Sequence, residues 1–185
     1  MSRSEYEYEY DDEGRRGYGA RRTSPRGAVV HDPERDALAR RIATVVGVVF
    51  LLVGVAGFIP GITQDFDQIE FAGHESGAEL LGIFQVSVLH NIVHLLFGVA
   101  GLALARRADA ARAYLIGGGI IYLALVVYGL VVDHDSDANF VPVNDADNWL
   151  HLGLGAGMIL LGLLTMPRRD RSVTAAGHRP GSAPT

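Results

Sequence analysis

Three histidines are the residues here whose type and spacing could do chemistry. His90 and His94 lie four apart in the string H-N-I-V-H, so on a helix both imidazoles reach one point in space. That is one spacing by which a helix grips a metal ion. The glutamate base of a zinc protease is missing, because Asn91 occupies its position. His151 is the third, and His94 with His151 is a pair that could hold haem between two helices. The competing reading is a structural polar network of imidazole, amide and hydroxyl groups, and that network is the default expectation. The expected polar cluster is Ser87, His90, Asn91, His94, Tyr122, Asn148 and His151, with His90, His94 and His151 as the alternative metal or haem ligands.

Other motifs carry less. Asp133-His134-Asp135-Ser136-Asp137 resembles a divalent-cation run by residue type, but lacks the glycine and terminal glutamate of an EF-hand loop. A solvated acidic loop is the simpler reading. Gly117-Gly118-Gly119 falls in an apolar helix, where it serves close packing rather than phosphate binding. No nucleophile, base and orienting acid stand in a recognisable order, so no catalytic residue is assigned and the expectation is a non-enzyme. With no cysteine, thiol and disulfide chemistry are excluded, and the net charge of −5 does not favour nucleic acid.

The elements that must position these residues are four apolar runs. They cover about 42–59, 78–105, 113–132 and 148–166, each near or above the ~20 helical residues that cross a ~30 Å bilayer core. The first run follows some forty polar residues and has no small-x-small site behind it, so it is not a cleavable signal. Residues 1–33 and 167–185 have too few aliphatic side chains to offset ordering entropy, and disordered tails are expected there. The tract Glu5-Tyr6-Glu7-Tyr8-Glu9-Tyr10 lies in the first tail. The expected domain is therefore residues 34–166, an all-α integral membrane four-helix bundle.

All 16 basic residues are arginine, and they are sharply partitioned. Arg35, Arg40 and Arg41 attend the first helix, Arg106, Arg107 and Arg112 the short turn, and Arg168, Arg169 and Arg171 follow the last helix. The two longer loops, 61–77 and 133–148, hold acids and no arginine. The positive-inside rule then places both termini and the short turn in the cytoplasm.

The chain also repeats itself. Asn91-Ile92-Val93-His94-Leu95-Leu96-Phe97-Gly98 aligns with Asn148-Trp149-Leu150-His151-Leu152-Gly153-Leu154-Gly155 as N-x-x-H-L-x-x-G. Gly47, Phe50 and Gly57 align with Gly119, Tyr122 and Gly129. Two hairpins of the same orientation imply a two-fold axis along the membrane normal. That axis would put His94 and His151 at one depth, whereas span counting puts His151 nearer the outside; a fourth helix that begins before Trp149, at Asn144 or Asp145, would reconcile the two.

The strings G-V-A-G-F-I-P-G-I-T, F-Q-V-S-V-L-H-N-I-V-H-L-L-F-G-V-A-G, V-V-D-H-D-S-D-A-N-F-V-P and A-D-N-W-L-H-L-G-L-G-A-G-M resemble a bacterial multi-pass membrane family, domain of unknown function 4383, over about 39–164. The resemblance implies a four-helix protein of the bacterial inner membrane. It supplies no activity, cofactor or catalytic residue. Three function classes stay open: a structural, stress-associated or complex-subunit component; a haem- or metal-binding redox protein; and a transporter or channel subunit, whose pore would need oligomerisation. The partners implied are the lipid bilayer and a second copy or a membrane complex, with no nucleic acid.

Overall fold

The computed structural model describes residues 9–10, 16–17, 29–30, 32–134, 136 and 138–169. Four helices form the body of the chain: α1 (Pro33–Ala56), α2 (Val88–Leu104), α3 (Ala108–Val131) and α4 (Asp145–Leu164). Among the described residues seven two-residue strands accompany them: β1 (Glu9–Tyr10), β2 (Arg16–Gly17), β3 (Val29–Val30), β4 (Thr63–Gln64), β5 (Glu79–Leu80), β6 (Phe84–Gln85) and β7 (Arg168–Arg169). The chain divides into two units. Residues 31–167 hold the helices, and the other unit contains the antiparallel pairs β1 with β2 and β3 with β7. The disorder expected of residues 1–33 and 167–185 falls mostly outside the described residues.

The helical unit is turned inside out relative to a water-soluble bundle. Many of its interior positions are small, Ala39, Ala43, Gly47 and Gly54 on α1, Gly98 and Gly101 on α2, Gly118 and Gly119 on α3, Gly155 and Gly162 on α4, and they surround a few large buried side chains, Phe50, Leu115, Tyr122 and Met158. Its outer surface is aliphatic, including Val45, Val48, Leu52, Leu96, Val99, Ile120, Val127, Leu130, Leu160 and Leu163. Water would disfavour such a belt, whereas lipid tails solvate it. Helices α1, α3 and α4 are each long and apolar enough to cross a membrane. At 1.5 Å per residue the 17 residues of α2 reach only about 26 Å, short of the ~30 Å core.

That shortness is the main departure from the sequence-based expectation of a helix over 78–105. Its first third instead supplies β5 and β6, which with β4 form a three-stranded antiparallel meander. Leu81 and Gly82 turn the chain between β5 and β6 with φ of 58° and 68°, a left-handed conformation that breaks a helix. Ala78, Leu80 and Val86 are buried on α1 through Val53 and Ala56, so the apolar run is used by a sheet rather than a span. Helix α1 begins earlier than the expected 42. Asp32 caps it through Glu34 and Arg35 amides, with Pro33 at the first helical position. Helix α3 likewise begins at Ala108 rather than 113. Helix α4 begins at Asp145 rather than 148, because Asn144 caps it in a reciprocal box with Asp147, and this is the earlier start that agrees with the repeat.

α1 packs closely on α2, and α3 on α4. The hairpins meet mainly through α1 and α3, which leaves α2 and α4 on the wide diagonal. Within each hairpin the backbones touch at a glycine pair. A Cβ on Gly98 would lie 2.8 Å from the Gly47 oxygen, and one on Gly119 would lie 2.7 Å from the Gly155 oxygen. Gly47 and Gly119, and Gly98 and Gly155, are the equivalents that the sequence alignment pairs.

At the helix ends opposite the meander, arginines of one helix close the C-terminus of its neighbour. Arg40 Nε donates to the Ala105 carbonyl at 3.3 Å, and Arg112 Nε to the Thr165 carbonyl at 2.8 Å. Arg35 Nη1 donates to the Leu164 and Met166 carbonyls. Neither α2 nor α4 has a basic residue in its own last turn, so the neighbouring guanidinium satisfies the orphan carbonyls and the negative dipole end. Arg112 is buried and also pairs with Asp36 at 2.5 Å and Asp109 at 3.2 Å, tying α3 to α1.

The glycine contacts lead to a test with internal controls. Gly98→Ala and Gly119→Ala force backbone apart and are expected to destabilise the bundle by about 1–3 kcal/mol. Gly117 and Gly157 face open space. Their alanine variants are expected to be neutral or slightly stabilising, because alanine favours helix. Unfolding in mixed micelles measures all four, and equal costs at all four positions would contradict the packing.

Candidate histidine site

The site is built from equivalent steps of two helices. His94 is the seventh residue of α2, and His151 is the seventh of α4. Both face inward, and both are at least nine-tenths buried, as is His90. His90 lies one turn before His94. The structure therefore brings the three histidines together. One ring nitrogen from each lies within 4.8 Å of the others, a set that could hold a metal ion.

Rings complete a circuit across all four helices. His94 lies 5.7 Å from Phe50 on α1, Phe50 stacks on Tyr122 of α3 at 5.4 Å, and Tyr122 meets His151 edge-on at 5.1 Å. His151 lies 6.1 Å from His90, and His90 lies 4.6 Å from His94. Phe50 and Tyr122 are equivalents in the two repeats, so the stack sits where the two-fold axis would pass. Its interplanar angle of 29° and centroid distance suit an offset stack.

Polar bookkeeping in this pocket is incomplete. Nδ1 of His90, of His94 and of His151 has no hydrogen-bond partner, although all three atoms are buried. The Pro142 backbone reaches His90 from the loop before α4. Most buried polar atoms in native structures are paired, and an unpaired one costs about 1–3 kcal/mol. Three in one pocket mark it as unusual.

Ser87, Asn91 and Asn148 of the expected cluster sit beside the pocket. Ser87 is not within the helix. It caps α2, and its hydroxyl accepts from the His90 amide at 3.1 Å. Asn91 donates to the Gly57 carbonyl at 2.8 Å and so joins α2 to the end of α1. Asn148 occupies the same place against Gly129. There, however, His134 Nε2 takes the Gly129 carbonyl at 2.9 Å, and neither polar atom of the Asn148 amide has a partner.

Sequence reasoning missed two contributors. Asp147 is buried, and its carboxylate accepts from the Gln85 and Asn144 amides at 3.1 and 3.0 Å, pinning β6 to the start of α4. His134 was read as part of an acidic loop. Alignment could have found Asp147, because it stands where His90 stands in the first repeat. Asn144 likewise stands where Ser87 does, and both are helix caps.

The asparagine pair predicts unequal costs. Asn91→Ala leaves the Gly57 carbonyl without its donor and should cost about 1–3 kcal/mol. Asn148→Ala removes an amide that bonds to nothing and should cost less. Steric trapping or denaturant unfolding in detergent measures the difference, and a larger loss at Asn148 would contradict the hydrogen-bond assignment.

Neither a curated protein nor a solved structure matches the chain. A family of the description Domain of unknown function (DUF4383) matches residues 40–164, which include all four helices save the first turns of α1. Both glycine pairs, the ring circuit and the three histidines fall inside that match. This chain, with its two glycine-packed hairpins and shared histidine pocket, belongs to the DUF4383 family.

Proposed function

We propose that the protein is a multi-pass component of the bacterial inner membrane with both termini in the cytoplasm, and that it acts without enzymatic chemistry of its own. It serves as a structural or stress-associated element or as a subunit of a membrane complex. The observation that carries this reading is the polarity of the helical unit. Arginines and their carbonyl contacts gather at one end, acids occupy the loops at the other, and aliphatic side chains cover the helices between. Lipid is the medium that suits the belt, and the positive-inside rule orients the ends. A transporter reading has less support, because glycine packing and a ring stack fill the bundle axis and a pore would have to form between copies.

A cofactor-binding reading is favoured by the histidine cluster, and its geometry discriminates between cofactors. Were haem iron placed midway between His94 and His151, the donor nitrogen of His90 would stand under about 5 Å from it, given that all three donors lie within 4.8 Å. That position is inside the macrocycle. A single ion needs no such room.

Reporter fusions test the topology. Fusions at Met1, at Ala108 and after Pro167 are expected to report cytoplasm. Fusions within residues 61–77 or 133–148 should report the outside. A cytoplasmic reading from either acidic loop would overturn the proposed topology.

A further inference from the structure

We infer that His90, His94 and His151 form a binding site for one transition-metal ion of zinc type, set at the outer end of the bundle beneath the loop that carries Pro142. Donor geometry is the first argument. An ion equidistant from three nitrogens at most 4.8 Å apart sits about 2.8 Å from each. Zinc–imidazole bonds are about 2.0–2.1 Å. Each nitrogen must then move by well under 1 Å, which small χ rotations supply without displacing a helix.

Unfilled hydrogen-bonding capacity is the second argument. If the histidines were only interhelical glue, their buried nitrogens would be bonded to one another or to the amides nearby. Instead three buried Nδ1 atoms have no partner, and neither Asn91, which bonds to Gly57 through Nδ2, nor the unpaired Asn148 amide bonds to any of them. An ion would give the imidazole lone pairs in this pocket the partner that the surrounding side chains leave unsupplied.

Donor type selects the ion. Three neutral imidazoles suit zinc and its neighbours, whereas magnesium and calcium require oxygen. The chain has no cysteine, and Met158 packs on Gly118 about two turns deeper, so the soft ligands that favour Cu(I) are not at hand. Three protein donors leave the fourth tetrahedral position for water or for a ligand from a partner.

Charge is the remaining cost. A divalent ion on neutral ligands in a lipid-embedded bundle needs a nearby anion. Asp147 lies one turn before His151 on the same face of α4 and is buried. The loops at this end carry Asp65, Asp67, Glu70, Glu75 and Glu79, which raise the local cation concentration outside the pocket. The repeat explains why there is one site rather than two: Asp147 replaces the second copy of His90. The hairpins thus contribute unequally, two histidines from one and a histidine with a carboxylate from the other.

The test uses the full chain, purified in mild detergent and stripped with chelator. Titration with Co(II) should give visible d–d bands that saturate at one ion per chain, and Zn(II) should displace them. His94→Gln and His151→Asn, which keep hydrogen-bonding capacity, should weaken Co(II) binding at least tenfold. His74→Ala, outside the cluster, should bind as the parent does. X-ray absorption of the zinc-loaded parent protein should show three imidazole ligands, a readout that depends on no variant folding. Absence of stoichiometric uptake by helical, monodisperse parent protein would overturn the site. So would unchanged uptake when both His94→Gln and His151→Asn are present, or absorption spectra without imidazole scattering.

Discussion

Everything in the helical unit depends on backbone reaching backbone at Gly47 with Gly98 and at Gly119 with Gly155. In lipid, burying an apolar side chain against another gains little, because the tails are as apolar as leucine. Cohesion must come from close packing and from polar groups that meet across the interface. The glycines supply the first. They also set the distance at which the second can operate. Asn91 reaches Gly57 because α1 and α2 run close enough for an amide to span the gap. Phe50 and Tyr122 can stack because α1 and α3 carry the short diagonal, and α2 and α4 are held apart on the long one. The histidines point into the space that remains.

The two hairpins are alike in scaffold and unlike in chemistry. Both keep the glycine pair, the aromatic ring, the inward histidine, the capped second helix and an arginine closing a helix end. They differ at the end nearest the meander. His90 becomes Asp147, and the asparagine that holds Gly57 in the first repeat yields the matching carbonyl to His134 in the second. Scaffold positions are constrained twice over by the same packing. At the end nearest the meander the halves differ in side chains, and the equivalent His94 and His151 are joined there by His90 alone.

Much of this was legible in the sequence, for physical reasons that can be named. Asparagine and histidine are rare in membrane helices, so N-x-x-H-L-x-x-G occurring twice located the inward faces and the equivalent depth of His94 and His151. The earlier start of α4 followed from that depth, and the Asn144–Asp147 box provides it. The start of α2 was hidden, because hydropathy counts the meander residues Ala78, Leu80 and Val86 as span. Their burial comes from packing on α1 rather than from lipid. Gly82 within that run was the available signal of a turn. The arginines were read for orientation alone. That Arg40 and Arg112 also cap neighbouring helices depends on tertiary contacts that no local pattern encodes.

The central claim is that two hairpins bring histidines of α2 and α4 into one pocket, and it is open to direct measurement in a bilayer. Solid-state NMR of histidine-labelled protein in lipid would detect ring-to-ring correlations. Cross-peaks are expected from His151 to both His90 and His94, with His90 and His151 ring centres 6.1 Å apart. A spectrum that shows His90 with His94 on their own helix, and His151 with neither, would contradict it.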